Sequence, residues 1–139
     1  MRIATAALVL AWLVALTCYD VRERRLPNLL TLPGAGAILL AAAIAGRGLP
    51  ALAGAAALAG LYLLMHLVAP AGMGAGDVKL AMGVGGLTGC FGAGVWFVAA
   101  LGAPLLTALW GVARGRCSVP HGPSMCVATA GAAGLAFLG

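Results

Sequence analysis

The chain has 139 residues, enough for one domain; 63% of them are hydrophobic and only 8% are charged. A soluble domain carries roughly a quarter charged residues, so this composition excludes an ordinary water-facing surface. It predicts a single integral membrane domain spanning residues 1–139, with the lipid bilayer as its solvent. The net charge of +5 comes without a long basic run, so we expect contact with anionic lipid headgroups and no nucleic-acid partner.

Apolar segments predict about six transmembrane helices. A bilayer core about 30 Å thick needs about 20 apolar residues per helix. Four segments are clear and two, the fourth and sixth along the chain, are weaker: Ile3–Tyr19, Leu29–Ala45, Ala51–Ala69, Val78–Phe91, Val95–Ala113 and Ser124–Leu138. The 22 glycines favour close helix packing, because small residues let backbones approach within a membrane. The predicted fold is therefore an all-α transmembrane bundle.

The basic residues fall mostly beside alternate connections between these segments. Only Arg2 and Arg47 lie on one side of the predicted bundle. The other six lie at the first, third and fifth connections: Arg22, Arg24, Arg25, Lys79, Arg114 and Arg116. Because cytoplasmic loops carry the excess of Lys and Arg, these three connections are expected to face the cytoplasm and both termini to lie outside.

All three acidic residues, Asp20, Glu23 and Asp77, lie at the same predicted side. Each has an ordinary interpretation: Asp20 and Glu23 can balance nearby arginines, and Asp77 can cap a helix or pair with Lys79. Two aspartates that meet can instead share one proton, so that one activates water as a base and the other acts as an acid. The sequence offers no competing catalytic set of serine or metal-binding residues, and neither a metal nor a cofactor is expected.

Three short motifs stand at the predicted helix boundaries. Residues 74–80 read G-A-G-D-V-K-L, residues 20–22, D-V-R, are followed by L-P-N at 26–28, and residues 120–123 read P-H-G-P. These motifs resemble those of the prepilin peptidases, which are intramembrane aspartic proteases with a G-x-G-D motif. The last is similar to the family's P-aromatic-G-P element, with His121 replacing the usual aromatic residue. Both histidines, His66 and His121, otherwise read as isolated residues.

The resemblance implies a six-helix membrane bundle in which Asp20 and Asp77 are the catalytic pair. Gly74 and Gly76 are expected to allow an unwound backbone to approach a partner helix or a substrate strand. Further residues of the motifs are expected to bind substrate or support the site: Lys79, Arg22, Pro27, Asn28, Gly122 and Pro123.

The resemblance is to short members of the family, such as those that serve Flp/Tad-type pili. Larger members carry a cytoplasmic insert with two C-x-x-C pairs that is linked to methylation of the cleaved pilin. Here only residues 20–28 separate the first two helices, and the four cysteines form no such pair, so free thiols and no methyltransferase activity are expected. The implied activity is removal of a basic leader from type IV prepilin-like proteins at the cytoplasmic face of a bacterial or archaeal cell membrane.

Two other functions fit parts of the sequence. A small proton- or ion-coupled transporter component would also use aspartate and lysine within a membrane, but it would place them near the bilayer midplane. A non-catalytic assembly partner would use the glycines for packing alone and would leave the paired aspartates unexplained.

The predicted orientation can be tested with Cys117 in the fifth connection. Because that connection is expected in the cytoplasm, a membrane-impermeant thiol reagent added to intact cells should leave Cys117 unlabelled. Labelling should appear after the membrane is permeabilised. Labelling in intact cells would overturn the orientation.

Overall fold

The computed structural model describes residues 2–23, 28–69, 75–115 and 121–138, whose regular secondary structure is entirely helical. These ranges contain six helices: α1 (Arg2–Glu23), α2 (Asn28–Ile44), α3 (Gly48–Val68), α4 (Ala75–Cys90), α5 (Ala93–Arg114) and α6 (Gly122–Leu138). The all-α class and the six helices predicted from the sequence are confirmed, including the two weaker ones.

Three helices in the described part of the chain are long and apolar enough to cross a bilayer. They are Ile3–Glu23 of α1, together with α3 and α5. Helices α2 and α6 are apolar but have 17 residues each, and α4 has 16. The large side chains exposed on the bundle are predominantly leucine, valine, isoleucine and phenylalanine, a surface suited to lipid chains.

Glycines with a positive φ explain where α2 and α5 end. Gly46, just after α2, has a φ of 77°, and Gly115, at the end of α5, has a φ of 61°. A side chain disfavours this left-handed conformation, so glycine permits the chain to leave the helix there. The Gly115 N–H donates to the carbonyl of Val112, which satisfies one of the free carbonyl groups at the end of α5.

Helix α4 lies at the centre of the bundle and packs on α2, α3, α5 and α6. The start of α4 meets the start of α2, where the Lys79 ammonium donates to Asn28 Oδ1 at 2.7 Å. Its end meets the connection between α2 and α3, where Arg47 Nη1 donates to the Cys90 carbonyl at 2.8 Å. Consecutive helices therefore run in opposite directions. We call the end where α2, α4 and α6 begin the Asp end, because it holds Asp20 and Asp77.

The closest helix pair, α3 and α4, is joined through glycine. A Cβ on Gly85 would stand 2.5 Å from the Gly54 carbonyl oxygen, and a Cβ on Gly89 would stand 2.6 Å from that of Pro50. No real side chain fits at such distances, so these backbones are in direct contact. Dispersion between closely approaching backbones is a main attraction between helices in lipid, where hydrophobic burial is weak.

Two tryptophans connect the outer helices α1 and α5 to the rest of the bundle. Trp12 Nε1 of α1 donates to the Leu30 carbonyl of α2 at 2.8 Å, and its ring fills the space beside Gly34 and Gly83. Trp96 Nε1 of α5 donates to the Gly54 carbonyl of α3 at 3.0 Å. Each indole thus combines a large apolar contact with a satisfied N–H group.

Two details differ from the sequence expectation. Helix α1 continues through Asp20 to Glu23, so the predicted break after residue 19 is wrong and both acidic residues lie in the helix. Gly76 lies inside the first turn of α4 and is helical, so the expected unwound stretch does not include it. The expectation of free thiols is confirmed for Cys18, Cys90 and Cys126.

The contact between α3 and α4 predicts a sharp difference between two Gly→Ala substitutions. In Gly85→Ala the new methyl group meets the Gly54 carbonyl and the Leu58 side chain, and should lower the free energy of unfolding by about 1–3 kcal/mol. In Gly60→Ala, also within a helix, the methyl group meets nothing within 4 Å and should be neutral or slightly stabilising. Denaturation of each purified variant in detergent measures its free energy of unfolding. Equal changes in the two variants would contradict the close contact between α3 and α4.

Candidate active site

The two aspartates lie at the same end of the bundle, on helices that meet through side chains and not through close backbone contact. Asp20 lies in the last part of α1 and is 7% exposed, whereas Asp77 lies in the first turn of α4 and is half-buried. Within the described chain, no Cα atom of α1 lies within 8 Å of one in α4. The interval between the two backbones is occupied by side chains of the buried core, including Leu16, Leu80 and Cys126.

Helix α6 links the two carboxylates through Cys126. The buried Cys126 thiol is within electrostatic reach of both Asp20 and Asp77, so the two carboxylates lie on the same side of the core. Cys126 also lies near the Thr17 side chain of α1, whose hydroxyl donates to the Leu13 carbonyl at 2.8 Å.

The predicted supporting residues Lys79 and Asn28 are brought together by their 2.7 Å hydrogen bond. Lys79 is half-buried on α4, two residues after Asp77, and Asn28 is the first residue of α2. A charge-assisted hydrogen bond of this length is among the stronger polar contacts in proteins. It ties the start of α2 to the turn that carries Asp77.

The other predicted site residues in the described part of the chain lie at the end of α1 and the start of α6. Arg22 is exposed in the last turn of α1. Gly122 and Pro123 are the first residues of α6, and Pro123 is buried. Proline is favoured in the first turn of a helix because the N–H groups there have no acceptor within the helix, so the N–H that proline lacks is not missed. Gly74 and Pro27 lie outside the described residues.

His121 is not isolated, contrary to the sequence interpretation. Its Nε2 lies 2.7 Å from the Tyr62 hydroxyl of α3, and its Nδ1 lies 2.7 Å from Thr107 Oγ1 of α5. The Tyr62 and His121 rings are 5.4 Å apart and inclined at 45°. Burial lowers the pKa of His121 below its ordinary value, which favours the neutral imidazole.

The Tyr62 hydroxyl is within electrostatic reach of the Asp77 carboxylate, so this group lies on the side of the core toward α4. Sequence reasoning missed Tyr62, Thr107 and Cys126, which stand in no recognisable motif. The one available signal was His121, a polar ring where the P-x-G-P element usually has an aromatic residue. A polar ring at that position requires hydrogen-bond partners once it is buried.

The arrangement can support acid–base chemistry. It combines one buried and one half-buried carboxylate, a nearby ammonium group and a neutral imidazole held by two hydrogen bonds. Within the described ranges, no three His, Cys, Asp or Glu side chains are grouped so that they could hold a metal ion.

A family model for the type IV leader peptidase family matches residues 7–112. The match includes both aspartates and the motifs at 20–28 and 74–80, and it ends before the P-H-G-P element at 120–123. No curated protein and no solved structure matches the chain. With three helices able to cross a bilayer, the chain is a helical membrane protein of the protease class. Because the match covers most of its length, the chain belongs to the type IV leader peptidase family.

Proposed function

We propose that the protein is an aspartic endopeptidase that removes the basic leader of type IV prepilin-like proteins, with Asp20 and Asp77 as its catalytic pair. The observation that carries the proposal is that both aspartates lie at the same end of the bundle, Asp20 near the end of α1 and Asp77 in the first turn of α4, in a chain of the leader peptidase family. The substrate's hydrophobic helix would lie in the lipid, and its leader would extend beyond the Asp end.

Local electrostatics support different roles for the two carboxylates. Asp77 lies in the first turn of α4, where the positive end of the helix dipole stabilises a negative charge. Asp20 is more buried and lies near the end of α1, where the dipole opposes a negative charge. Asp77 is therefore assigned as the base that starts the reaction and Asp20 as the acid.

In the proposed reaction, ionised Asp77 takes a proton from water while the water oxygen bonds to the carbonyl carbon of the scissile peptide. Neutral Asp20 gives its proton to the carbonyl oxygen, which forms a tetrahedral diol. Asp20, now ionised, takes a proton from one hydroxyl as the carbonyl re-forms and the C–N bond breaks. Asp77 gives its proton to the leaving amine, so both carboxylates return to their starting states.

The position of the charges favours this proposal over a proton- or ion-coupled transporter. A transport pathway places its ionisable residues near the middle of the membrane. Asp20 and Asp77 each lie within a few residues of a helix terminus, and Lys79 lies next to Asp77 along the same helix. A short Flp/Tad-type peptidase without methyltransferase activity is the form of the family that the proposal specifies, with its site at the cytoplasmic face.

Replacing either carboxylate by an amide tests the catalytic pair. Asp20→Asn and Asp77→Asn should each lower leader cleavage by at least about a hundredfold, since each removes one partner in proton transfer. The double variant should be no worse than the singles, because the two residues act as a unit. The measurement is cleavage of a purified prepilin-like substrate by enzyme in detergent and lipid.

Glu23→Gln is the matched control for these variants. Glu23 is exposed at the end of α1, one turn beyond Asp20, and its amide variant should cleave as well as the unmodified protein. Substantial activity in either single Asp variant would refute the aspartic mechanism. Loss of activity in Glu23→Gln alone would show that the catalytic carboxylate is Glu23.

Substitutions of Cys126 test whether the region between the aspartates must stay clear. Cys126→Phe places a ring at a buried position within electrostatic reach of both carboxylates and should abolish cleavage. Cys126→Ala should keep activity within a few-fold, because the thiol takes no part in the proposed chemistry. Cys18→Phe is the control, since Cys18 is exposed on α1. Inactive Cys126→Ala, or active Cys126→Phe, would argue against this geometry.

A further inference from the structure

A groove of about 790 Å³ lies between α1, α4 and α6, at the end of the bundle opposite the Asp end. Helix α1 lines it between Thr5 and Leu13 and α6 lines it between Ala130 and Leu138, while Phe91 and Arg47 lie where α4 ends. Its volume is in the range of sites that hold small molecules, about 300–1,000 Å³. Most of the lining is apolar, and among the described residues that form it only Arg47 is charged.

Small residues of α6 create the groove. Ala130, Ala133 and Gly134 occupy little space along the part of the helix that lines it. A Cβ on Gly134 would meet nothing within 4 Å, so a larger side chain there would point into free space. An unfilled space forfeits dispersion contacts with the atoms that line it, so in a membrane a lipid chain that enters the groove gains those contacts.

The groove follows α1 through most of one leaflet of the bilayer. Helix α1 runs from this end toward the Asp end, so Thr5 lies near the membrane boundary and Leu13 lies nearer the middle of the bundle. The two residues are eight positions apart, which gives a length of about 12 Å at about 1.5 Å per residue. The hydrocarbon part of one leaflet is about 15 Å thick, half of a bilayer core of about 30 Å. An acyl chain in that leaflet therefore matches the groove in length and direction.

Arg47 supplies a cation at the boundary end of the groove. Its Nη1 donates to the Cys90 carbonyl at 2.8 Å, which holds the exposed side chain over the end of α4. That hydrogen bond uses one of the five N–H donors of a guanidinium group. The planar arrangement of the donors suits the oxygen atoms of a phosphate group, which lies at the same depth in a phospholipid bilayer.

The distribution of charge favours an anionic headgroup. The chain's three acidic side chains, Asp20, Glu23 and Asp77, all lie at the Asp end. Arg47 therefore has no carboxylate side chain at its own end of the bundle, and Arg2 adds a second positive charge where α1 begins. An anionic phospholipid balances this positive charge, whereas a zwitterionic phospholipid brings an ammonium group of its own.

We propose that the groove binds one anionic phospholipid, with its phosphate on Arg47 and an acyl chain along α1 and α6. The site lies at the end opposite the aspartates, so its occupancy does not depend on the proposed reaction. Because α1, α4 and α6 all line the groove, the bound lipid also holds α1 against the rest of the bundle. Lipid that binds only the folded protein stabilises it by mass action.

The headgroup preference is tested by native mass spectrometry, which counts the phospholipid molecules bound to the purified protein in detergent. The probes are phosphatidylglycerol and phosphatidylcholine with the same acyl chains, at equal concentrations. One phosphatidylglycerol should be retained, at least about fivefold more tightly than phosphatidylcholine, since one arginine near the membrane surface contributes about that much to binding of an anionic lipid. Arg47→Gln can still donate to the Cys90 carbonyl but carries no charge, so it should bind both lipids equally.

Arg114→Gln is the matched control for loss of a positive charge. Arg114 is exposed in the last turn of α5, at the Asp end, so its variant should keep the preference for phosphatidylglycerol. Equal retention of the two lipids by the unmodified protein, or an unchanged preference in Arg47→Gln, would overturn the proposal. Glycerol 3-phosphate, which has no acyl chains, should not displace the lipid. If it does so at equal concentration, the site binds phosphate alone and the proposal fails.

Gly134→Leu tests the groove itself. The leucine side chain takes the space of the acyl chain, so retention of both lipids should be lost. Gly131→Leu is the matched control on the same helix, because a Cβ there also meets nothing within 4 Å but Gly131 does not line the groove. If Gly134→Leu does not accumulate in membranes, Ala133→Leu fills the groove from the neighbouring position.

The midpoint of thermal unfolding in detergent provides an independent measurement. Phosphatidylglycerol should raise the midpoint of the unmodified protein and of Gly131→Leu, and should leave that of Gly134→Leu unchanged. Full lipid retention in Gly134→Leu would show that the lipid binds elsewhere and would refute the site. A second copy of the chain that is bound in the unmodified protein and lost in Gly134→Leu would show that a protein helix occupies the groove, which also refutes it.

Discussion

The direct backbone contact between α3 and α4 is the constraint on which the rest of the structure depends. Gly54 and Gly85 bring the two helices so close that even a methyl group has no room. Lipid is as apolar as leucine, so helices in a membrane need such close contact to associate. The contact fixes α4 at the centre of the bundle, and α4 in turn sets the position of Asp77 at one end.

Around that centre, the polar contacts divide between the two ends. Arg47 holds the end of α4 through the Cys90 carbonyl, whereas Lys79 holds its start through Asn28. Between them, Gly85 and Gly89 of α4 face the carbonyls of Gly54 and Pro50 of α3, and this close match resists sliding of one helix along the other. Helix α4 is therefore held at both ends and along its contact with α3, which supports the turn that carries Asp77.

The sequence predicted the class and helix count because hydropathy and the Gly and Pro positions are local signals. It also predicted that Asp20 and Asp77 would lie at the same end, since that follows from counting helices. It misplaced the end of α1, because Asp20 interrupts an apolar run without ending the helix. It could not predict the partners of His121, since Tyr62 and Thr107 are 59 and 14 residues away and meet it only through the packing of three helices.

The separation of the α1 and α4 backbones matters for a peptidase that works at a membrane boundary. A substrate helix has satisfied all of its backbone hydrogen bonds internally, and a carbonyl within that helix is shielded from attack. Cleavage requires a locally extended strand whose freed N–H and C=O groups find partners in the enzyme. Helices in direct contact would exclude such a strand. In this bundle α6 and the Trp12 side chain bridge α1 and α4 without bringing their backbones together, so the close glycine contact that holds the bundle is between α3 and α4 and not between the two helices that carry the aspartates.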